Sequence, residues 1–325
     1  MDVIARWLPP ERRAWLARHL AAPVLLLAGL LTFASTLTGL AAATPPRAAP
    51  TATPNLAATF IAEYHLSPPQ IAASSAYVYD ASTGVVLYQR HPDDERAMAS
   101  TTKIMTALVA VQHASLSQTI TAGADAAALV NPDNSYMGLS QGEQLTLNEL
   151  LYGLLLPSGN DAAVAIADGV GGGQAQFVAL MNQEAGQLGL AHTHFANPHG
   201  LDATGHYTTA RDLARLATLA LGNPVIAQIA ATRHEIIAQT ATHKAYDLWN
   251  YNSILPGGRA AYPGAIGLKP GNTGDAGWCE AFAARRYGHL VIGVVLNDPT
   301  WSIRNTDMHA LLDWGFVQLG VPPAG

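Results

Sequence analysis

Ser100 and Lys103 are the first residues whose types and spacing could do chemistry. They lie in the stretch RAMASTTKIMTALVAV, where the serine stands just ahead of a long apolar run. Residues three apart share a helix face, so the lysine amine can reach the serine hydroxyl. A serine is a weak nucleophile until a base takes its proton, and lysine is such a base only when burial or a second cation lowers its pKa. Taken alone, the pair is more simply a helix cap and a lysine that reaches solvent.

A second chemical element is LPSGND, residues 156–161, between two apolar segments. This spacing predicts a tight loop between two helices, with Ser158 and Asn160 on the loop. A hydroxyl there could relay a proton, and an amide could orient a substrate carbonyl or Lys103. In isolation, Ser-Gly-Asn is an ordinary turn sequence.

A third element is GLKPGN, residues 267–272, which lies just before AGWCEAFAARRYGHLVIGVVL. The pattern predicts a strand, a turn and a neighbouring strand. Lys269 could supply the second cation that lowers the pKa of Lys103, and Gly271 would let another backbone or a ligand approach closely. On its own, the stretch fits a loop with a solvated lysine.

The elements that must position these residues follow from hydrophobic periodicity and turn residues. Strands early and late in the chain, with helices between them, favour an antiparallel sheet whose ends pair and whose middle inserts a helical lobe. The predicted elements are a hairpin at 76–89, a helix after Ser100, helices at 145–156 and 209–221, a strand at 290–296 and a helix at 304–319.

Composition limits the class of protein. Of 325 residues, 49% are hydrophobic and 12% are charged, so we expect a sizeable core. The net charge of −6 argues against nucleic acid as a partner. Cys279 is the one cysteine, so no internal disulfide can form, and we expect it to be a small buried side chain rather than a second nucleophile.

The N-terminus contains an uncharged stretch from Ala21 to Thr44, preceded by four arginines. It is long enough to span a bilayer, and its flanking charge predicts that the rest of the chain is exported. Ala41–Ala43 fits a signal-peptide cleavage site, whereas the long leader favours an uncleaved anchor. The predicted division is a cytoplasmic segment at 1–20, an anchor or signal peptide at 21–43, a Pro/Ala/Thr linker at 44–56 and a catalytic domain at 57–325.

The three elements in this order and spacing form a pattern typical of serine acyl-transferases of the penicillin-binding and β-lactamase type. The sequence resembles the D-alanyl-D-alanine carboxypeptidase family of low-molecular-mass penicillin-binding proteins. The resemblance runs from about residue 76 to residue 316, and six separated blocks agree in order. They are RAMASTTKIMTALVA, LTLNELLYGLLLPSGNDAAVAIAD, ANPHGLD, GHYTTARDLARLA, GLKPGNTGDAGWC and LLDWGF.

This resemblance implies a fold, a reaction and a set of site residues. The fold is α/β (α+β) and β-lactamase/transpeptidase-like, an antiparallel sheet flanked by helices with a helical lobe. The reaction removes the terminal D-alanine from peptidoglycan stem pentapeptides without a metal or an organic cofactor. The implied roles are Ser100 as nucleophile, Lys103 as base, Ser158 and Asn160 as the second motif, Lys269 and Gly271 as the third, the backbone N–H groups of Ser100 and Asn272 as oxyanion hole, and Arg304 as the residue that binds the terminal carboxylate.

The resemblance also implies location and inhibitors. β-Lactam antibiotics would acylate the serine and stay in the site as covalent inhibitors. The domain would work at the extracytoplasmic face of the cell membrane, tethered through the N-terminal segment. Family members often carry a C-terminal domain with a membrane-seated helix, and since the sequence stops soon after LLDWGF, an N-terminal anchor is the favoured tether.

Pro270 is the one departure from the family pattern, which usually has threonine between the lysine and the glycine. Proline has neither a hydroxyl nor an N–H, so one hydrogen bond to the substrate carboxylate is lost. Arg304 or Thr273 are candidates to replace it. The change leaves open a non-enzymatic alternative, a penicillin-binding sensor or wall-binding protein that is acylated with little turnover.

Two further enzyme classes are alternatives. A β-lactamase shares all three motifs, but the acids after Asn160 lack the context of a deacylating glutamate. A zinc peptidase would use His192, His194 and His199 as ligands, but the sequence has no His-Glu-x-x-His motif. The histidine block therefore fits a structural loop better than a metal site.

Overall fold

A five-stranded antiparallel sheet organises residues 55–324, the part of the chain that the computed structural model describes. The predictions for the leader, the membrane segment and nearly all of the linker fall on residues outside this part. The strand order is β2-β1-β9-β8-β7, so β7 is an edge strand. The sheet strands are β1 Ser75–Asp80, β2 Val86–Arg90, β7 Ala265–Thr273, β8 Gly277–Arg286 and β9 His289–Asp298.

Nine helices surround the sheet within these residues, and most of them lie between β2 and β7 in the chain. Two small two-stranded sheets join them: β3 Thr119–Thr121 with β4 Gln144–Thr146, and β5 His234–Ile237 with β6 Tyr246–Trp249. The helices are α1 Leu56–Glu63, α2 Lys103–His113, α3 Ala124–Ala128, α4 Leu147–Leu155, α5 Asn160–Gly171, α6 Gln174–Gln187, α7 Ala210–Leu221, α8 Pro224–Ala231 and α9 Trp301–Gln318.

The pairing of β1 with β9 joins the start of the domain to its end. Val78 lies opposite Gly293 in this antiparallel pair. Residues 291–296 of β9 are all buried, as expected for a strand covered on both faces. The prediction of a sheet whose ends pair around an inserted helical lobe is therefore confirmed.

The first hairpin forms because its turn residues supply their own hydrogen bonds. The Asp80 side chain accepts from Ser82 N at 2.9 Å, and its carbonyl accepts from Gly84 N at 2.7 Å. Gly84 has a φ of +81°, which glycine adopts without steric cost. The predicted hairpin at 76–89 is thus confirmed, with strands one residue longer at each end.

Helix starts follow capping chemistry, and two predicted boundaries are wrong. Residues 144–146 form a strand, and Thr146 then caps α4 in a capping box with Glu149, so the helix begins at Leu147 rather than Leu145. Thr300 caps α9, which therefore begins at Trp301 and places Arg304 in its first turns.

Two apolar clusters, one of them much larger, hold the elements together. The larger packs the helical lobe against the sheet, and the smaller joins the sheet to α9. Among residues 55–324 no single helix is both long and apolar enough to cross a membrane, and only α7 and α8, bent by 102° relative to each other, meet both criteria as a pair.

Candidate active site

Ser100 lies in a single 3-10 turn, Ala99–Thr102, that leads directly into α2. The Thr102 hydroxyl closes the turn by donating to the Ala99 carbonyl at 2.8 Å, and it also lies 2.8 Å from His206 Nε2, which comes from the loop before α7. Burial lowers the pKa of His206 to about 4, so the ring is neutral near pH 7. Its Nδ1 accepts from Ala196 N at 3.0 Å, which leaves Nε2–H to donate to Thr102.

Lys103 follows one turn later and is fully buried. Its Nζ lies 2.9 Å from Ser100 Oγ, 2.7 Å from Asn160 Oδ1 and 2.6 Å from the His199 carbonyl. Burial lowers the pKa of Lys103 well below its ordinary value; the Lys269 ammonium lowers it further, and Asp161 opposes both.

A Lys103 ammonium could donate to all three oxygens, but the lowered pKa favours the neutral amine, which fits the same contacts. Two of them go to carbonyl oxygens, Asn160 Oδ1 and the His199 carbonyl, which can only accept. A neutral amine has two N–H donors for those oxygens and one lone pair, which is then left for the Ser100 hydroxyl. The arrangement can therefore take the serine proton without rearranging.

Ser158 and Asn160 follow the end of α4. Ser158 has a φ of +64°, and its hydroxyl is buried with no hydrogen-bond partner among the described residues. Asn160 is the first residue of α5 rather than a loop residue, which corrects the sequence prediction by one element boundary. Its Nδ2 donates to Asn134 Oδ1 at 3.2 Å, so the oxygen end is turned to Lys103.

Asp161 supports this region from beneath, although the sequence reasoning gave it no role. Oδ1 accepts from Met137 N and Ala162 N, and Oδ2 accepts from Gly138 N and Leu139 N, all at 2.8–2.9 Å. A buried carboxylate is stable when backbone donors satisfy it in this way. Asp161 thereby fixes the segment beside residues 132–135, which line the cleft.

We expect Asp161→Asn to lower the free energy of unfolding by about 2–4 kcal/mol, because either orientation of the amide turns its NH2 group towards two backbone N–H donors. Thermal and urea unfolding measure this loss. Asp94→Asn is the matched control, since Asp94 is exposed on the surface and pairs only with Arg96 and His91. An Asp161→Asn variant as stable as the control would contradict the assigned support.

The third motif reaches Ser100 from the edge strand β7. A Cβ on Gly271 would lie 2.7 Å from Ser100 N and 3.2 Å from Thr101 N, so only glycine permits this approach. Lys269 is fully buried, and its Nζ donates to the Pro270 carbonyl at 3.0 Å. Burial lowers the pKa of Lys269 to about 7, while Glu280 raises it and Arg304 lowers it.

Thr273 and Arg304 were the candidates to replace the hydroxyl absent at Pro270. The Thr273 hydroxyl donates to Asp202 Oδ1 at 2.6 Å, so it is already engaged. Arg304 is 1% exposed, and its Nε lies 3.2 Å from Glu280 Oε2. Arg304 is therefore the better placed of the two.

One cleft of about 440 Å³ brings the predicted site residues together. This volume suits a small ligand or the end of a peptide. Lys103 lies below its floor, in contact with Ser100. The predicted residues that line it are Ser100, Ser158, Asn160, Lys269, Gly271, Asn272 and Arg304.

The three histidines of the zinc alternative have separate surroundings. His192 Nδ1 lies 3.3 Å from Glu95, His194 Nδ1 lies against the Gly205 carbonyl, and His199 gives its carbonyl to Lys103. Within residues 55–324 no three His, Cys, Asp or Glu residues are grouped as metal ligands. Cys279 is buried, and burial raises the pKa of its thiol to about 12, which makes it a poor nucleophile.

Glu280 is the charged residue at the site that sequence reasoning missed. It occupies the middle of the apolar strand WCEAFAA, fully buried between Lys269 and Arg304. A lone acid inside a hydrophobic strand was the available signal, because such a residue needs a buried cation nearby. Trp278 and Tyr251 also line the cleft, and neither had a motif to mark it.

Comparisons with known proteins agree with this geometry. The family model described as D-alanyl-D-alanine carboxypeptidase matches residues 62–300. A D-alanyl-D-alanine carboxypeptidase of Streptomyces sp. (strain K15) is 36% identical over 77% of this chain and 89% of its own length. DacF of Bacillus subtilis (strain 168), also named D-alanyl-D-alanine carboxypeptidase, is 34% identical over 77% of this chain, which spans 64% of that relative.

Solved structures show the same fold. The crystal structure of the Streptomyces K15 DD-transpeptidase superposes with a TM-score of 0.72 at 35% identity, covering 77% of this chain and 99% of that one. The predicted β-lactamase/transpeptidase-like fold is therefore confirmed. By its sequence and its fold, the chain belongs to the D-alanyl-D-alanine carboxypeptidase family of serine peptidases.

Proposed function

We propose that this protein removes the terminal D-alanine from peptidoglycan stem pentapeptides through an acyl-enzyme on Ser100. The observation that carries the proposal is the fully buried Lys103, whose Nζ lies 2.9 Å from Ser100 Oγ and whose other contacts are compatible with a neutral base. Family membership supports the same reaction class.

In acylation, Lys103 takes the Ser100 proton as Oγ attacks the carbonyl of the penultimate D-alanine. The tetrahedral oxyanion is held by the backbone N–H groups of Ser100 and Asn272, and Gly271 is the residue that lets β7 come close enough for this. When the C–N bond breaks, the proton passes to the departing amine, with the Ser158 hydroxyl as relay. Water then adds to the ester, and Ser100 recovers its proton as the peptide acid leaves.

The substrate is oriented by the amide of Asn160 and by two cations at the other end of the cleft. Lys269 and Arg304 attract the terminal carboxylate of the peptide, and arginine can bind it through two parallel hydrogen bonds. Both side chains are buried, so their charges act in a medium of low dielectric constant and are screened little by salt.

β-Lactams have a strained amide and a carboxylate, so the same groups would position them for attack by Ser100. The ester that forms retains the opened ring in the cleft, which makes them covalent inhibitors. The sensor alternative rests on Pro270, but Arg304 offers the carboxylate a cation that does not depend on a hydroxyl at that position. The β-lactamase alternative has no support from the relatives, which are named as carboxypeptidases.

The substrate lies outside the cytoplasm, so we propose that residues 57–325 act at the outer face of the cell membrane. The uncharged stretch at 21–43 would tether or export them. Membrane fractions probed for the full chain before and after a carbonate wash distinguish an anchored from a released enzyme.

We expect Ser100→Ala to abolish both the mass increase after incubation with a penicillin and the release of D-alanine from diacetyl-Lys-D-Ala-D-Ala. The alanine has no nucleophile, so no acyl-enzyme can form. Intact-protein mass spectrometry and a D-alanine assay measure the two effects. Ser117→Ala is the control, because Ser117 is exposed and bonds only its neighbour Ser115. An adduct that persists in Ser100→Ala would contradict the proposal.

A further inference from the structure

The strand position that lacks a hydroxyl faces a buried acid. In the pairing of β7 with β8, Pro270 lies opposite Glu280, and β7 is the edge strand beside the cleft. Proline offers no side-chain donor and no N–H there. Across from it, the chain places a carboxylate within the apolar stretch WCEAFAA of β8. The two unusual residues of this site are thus neighbours across one strand pair.

Three charged side chains from three elements meet at this point. Lys269 comes from β7, Glu280 from β8 and Arg304 from α9, and each is at most 1% exposed. Glu280 Oε2 lies 3.2 Å from Arg304 Nε. Burial of an unpaired acid costs several kcal/mol, on the order of the stability of a domain, so Glu280 is compatible with the fold because cations flank it.

Three groups around Glu280 favour its charged form against the effect of burial, and no acid is among the described groups that act on it. Burial raises the pKa of Glu280, while Arg304, Lys269 and the Asn252 amide oppose that rise. Arg304 also interacts with Asp298 of β9, whose pKa burial and the neighbouring Asp307 raise to about 8. Asp307 of α9 accepts from Ala72 N and Ala73 N.

Arg304 is held so that donors remain for a ligand. Its Nε forms an ion pair with Glu280 that lacks hydrogen-bond geometry, and Nη2 makes one long contact of 3.4 Å with Asn305 Oδ1. The guanidinium carbon lies 5.6 Å from the centre of the Trp278 ring, and both residues line the cleft with Ser100. A guanidinium has five N–H donors, so most of them are not used by Glu280.

We propose that Glu280 is a positioning residue that holds Arg304 beside Lys269, so that the two cations present one carboxylate-binding site at the end of the cleft. Glu280 favours the charged form of Lys269, whereas Arg304 opposes it, so the Glu280 carboxylate offsets the repulsion between the two cations. The inference rests on the proposed function for the identity of the carboxylate that this site binds. With Arg304 held in this position, the substrate carboxylate can be bound without a threonine hydroxyl at position 270.

The test compares Ser100 acylation by a penicillin that has its free carboxylate and by the methyl ester of the same penicillin, in the full chain. We expect Glu280→Gln to lower the second-order acylation rate for the acid by about tenfold or more, the effect of one charge-assisted hydrogen bond. The rate for the ester should change by less than about twofold, because the ester has no carboxylate to bind. Intact-protein mass over time gives both rates.

Two outcomes overturn the inference. If acid and ester lose the same factor, Glu280 is only structural. If the acid reacts faster in Glu280→Gln, then Glu280 repels the carboxylate instead of positioning its cation. The reaction with the ester also reports whether the variant folds. If Glu280→Gln does not fold, Glu280→Asp is the second variant, because it keeps the charge but moves it away from Arg304. Its acylation rate should also fall more for the acid than for the ester, by a smaller factor.

A pH profile adds a readout that a packing defect would not move. Glu280 raises the pKa of Lys269, so its removal should shift the alkaline limb of acylation by the acid to lower pH. An alkaline limb at the same pH in Glu280→Gln and in the unaltered protein would contradict the inference. The role of Glu280 is tested by the rates at which the acid and the ester acylate Ser100. The proposed reaction is tested separately, by D-alanine release from the unaltered protein. Either proposal can therefore fail without the other.

Discussion

Lys103→Arg is expected to lower the rate of Ser100 acylation by about 10²–10⁴-fold, the range for loss of a general base. Arginine keeps a positive charge and the ability to donate, but its guanidinium does not lose a proton in proteins. If Lys103 served only as a cation that holds Asn160 and the His199 carbonyl, arginine would preserve part of that role. The variant therefore separates proton transfer from charge. Burst kinetics with a penicillin measure the acylation step alone.

Lys244→Arg is the control for this change. Lys244 is half exposed, pairs with Glu143 at 3.6 Å and is not among the residues that line the cleft. We expect its acylation rate to equal that of the unaltered protein. A Lys103→Arg variant that acylates within about tenfold of that control would fall short of the effect of a general base and would remove Lys103 from the role.

The same base has a pH signature that depends on its neighbour. Lys269 lowers the pKa of Lys103, so acylation needs less alkaline conditions than a free lysine would. Removing that cation in Lys269→Met should let the pKa of Lys103 rise. The acid limb of the acylation profile, where Lys103 becomes protonated and inactive, should then move to higher pH.

The chemical motifs could be predicted from sequence because each one combines a local pattern with a side chain of distinctive type. Ser100 and Lys103 lie three apart on one turn, and the geometry of that turn places both side chains on one face, where they come to 2.9 Å. The hairpin at 76–89 was predictable for the same reason, since its turn is closed by Asp80 and Gly84 of the hairpin itself.

The remaining features depend on pairing between distant segments. Nothing local to Glu280 indicates that β8 places it opposite Pro270 or that α9 brings Arg304 to it. The contact of Lys103 with His199 uses the backbone carbonyl of residue 199. Every residue has such a carbonyl, so the amino-acid type at this position does not indicate the contact. The start of α4 was misplaced because Leu145 continues the helical period of apolar residues, whereas pairing with β3 makes it part of a strand.

Gly271→Ala is expected to lower acylation by about 10²–10³-fold, the cost of losing an oxyanion donor. The new Cβ would lie 2.7 Å from Ser100 N and 3.0 Å from the Ala99 side chain. Both neighbours belong to the tight turn that carries the nucleophile, so neither can rotate away as a flexible side chain would. The strand must retreat, which widens the gap between the two proposed oxyanion donors, the N–H groups of Ser100 and Asn272.

Gly274→Ala is the matched control on the same hairpin. Its Cβ would meet only Asp202 Oδ2 at 3.8 Å, an ordinary contact, so the same methyl group should leave acylation unchanged. The rate of penicillin adduct formation is the measurement, and thermal unfolding checks that both variants fold, since overpacking at Gly271 costs about 1–3 kcal/mol. A Gly271→Ala variant that is folded and acylates like the control would show that the close approach of β7 to Ser100 does not build the oxyanion hole.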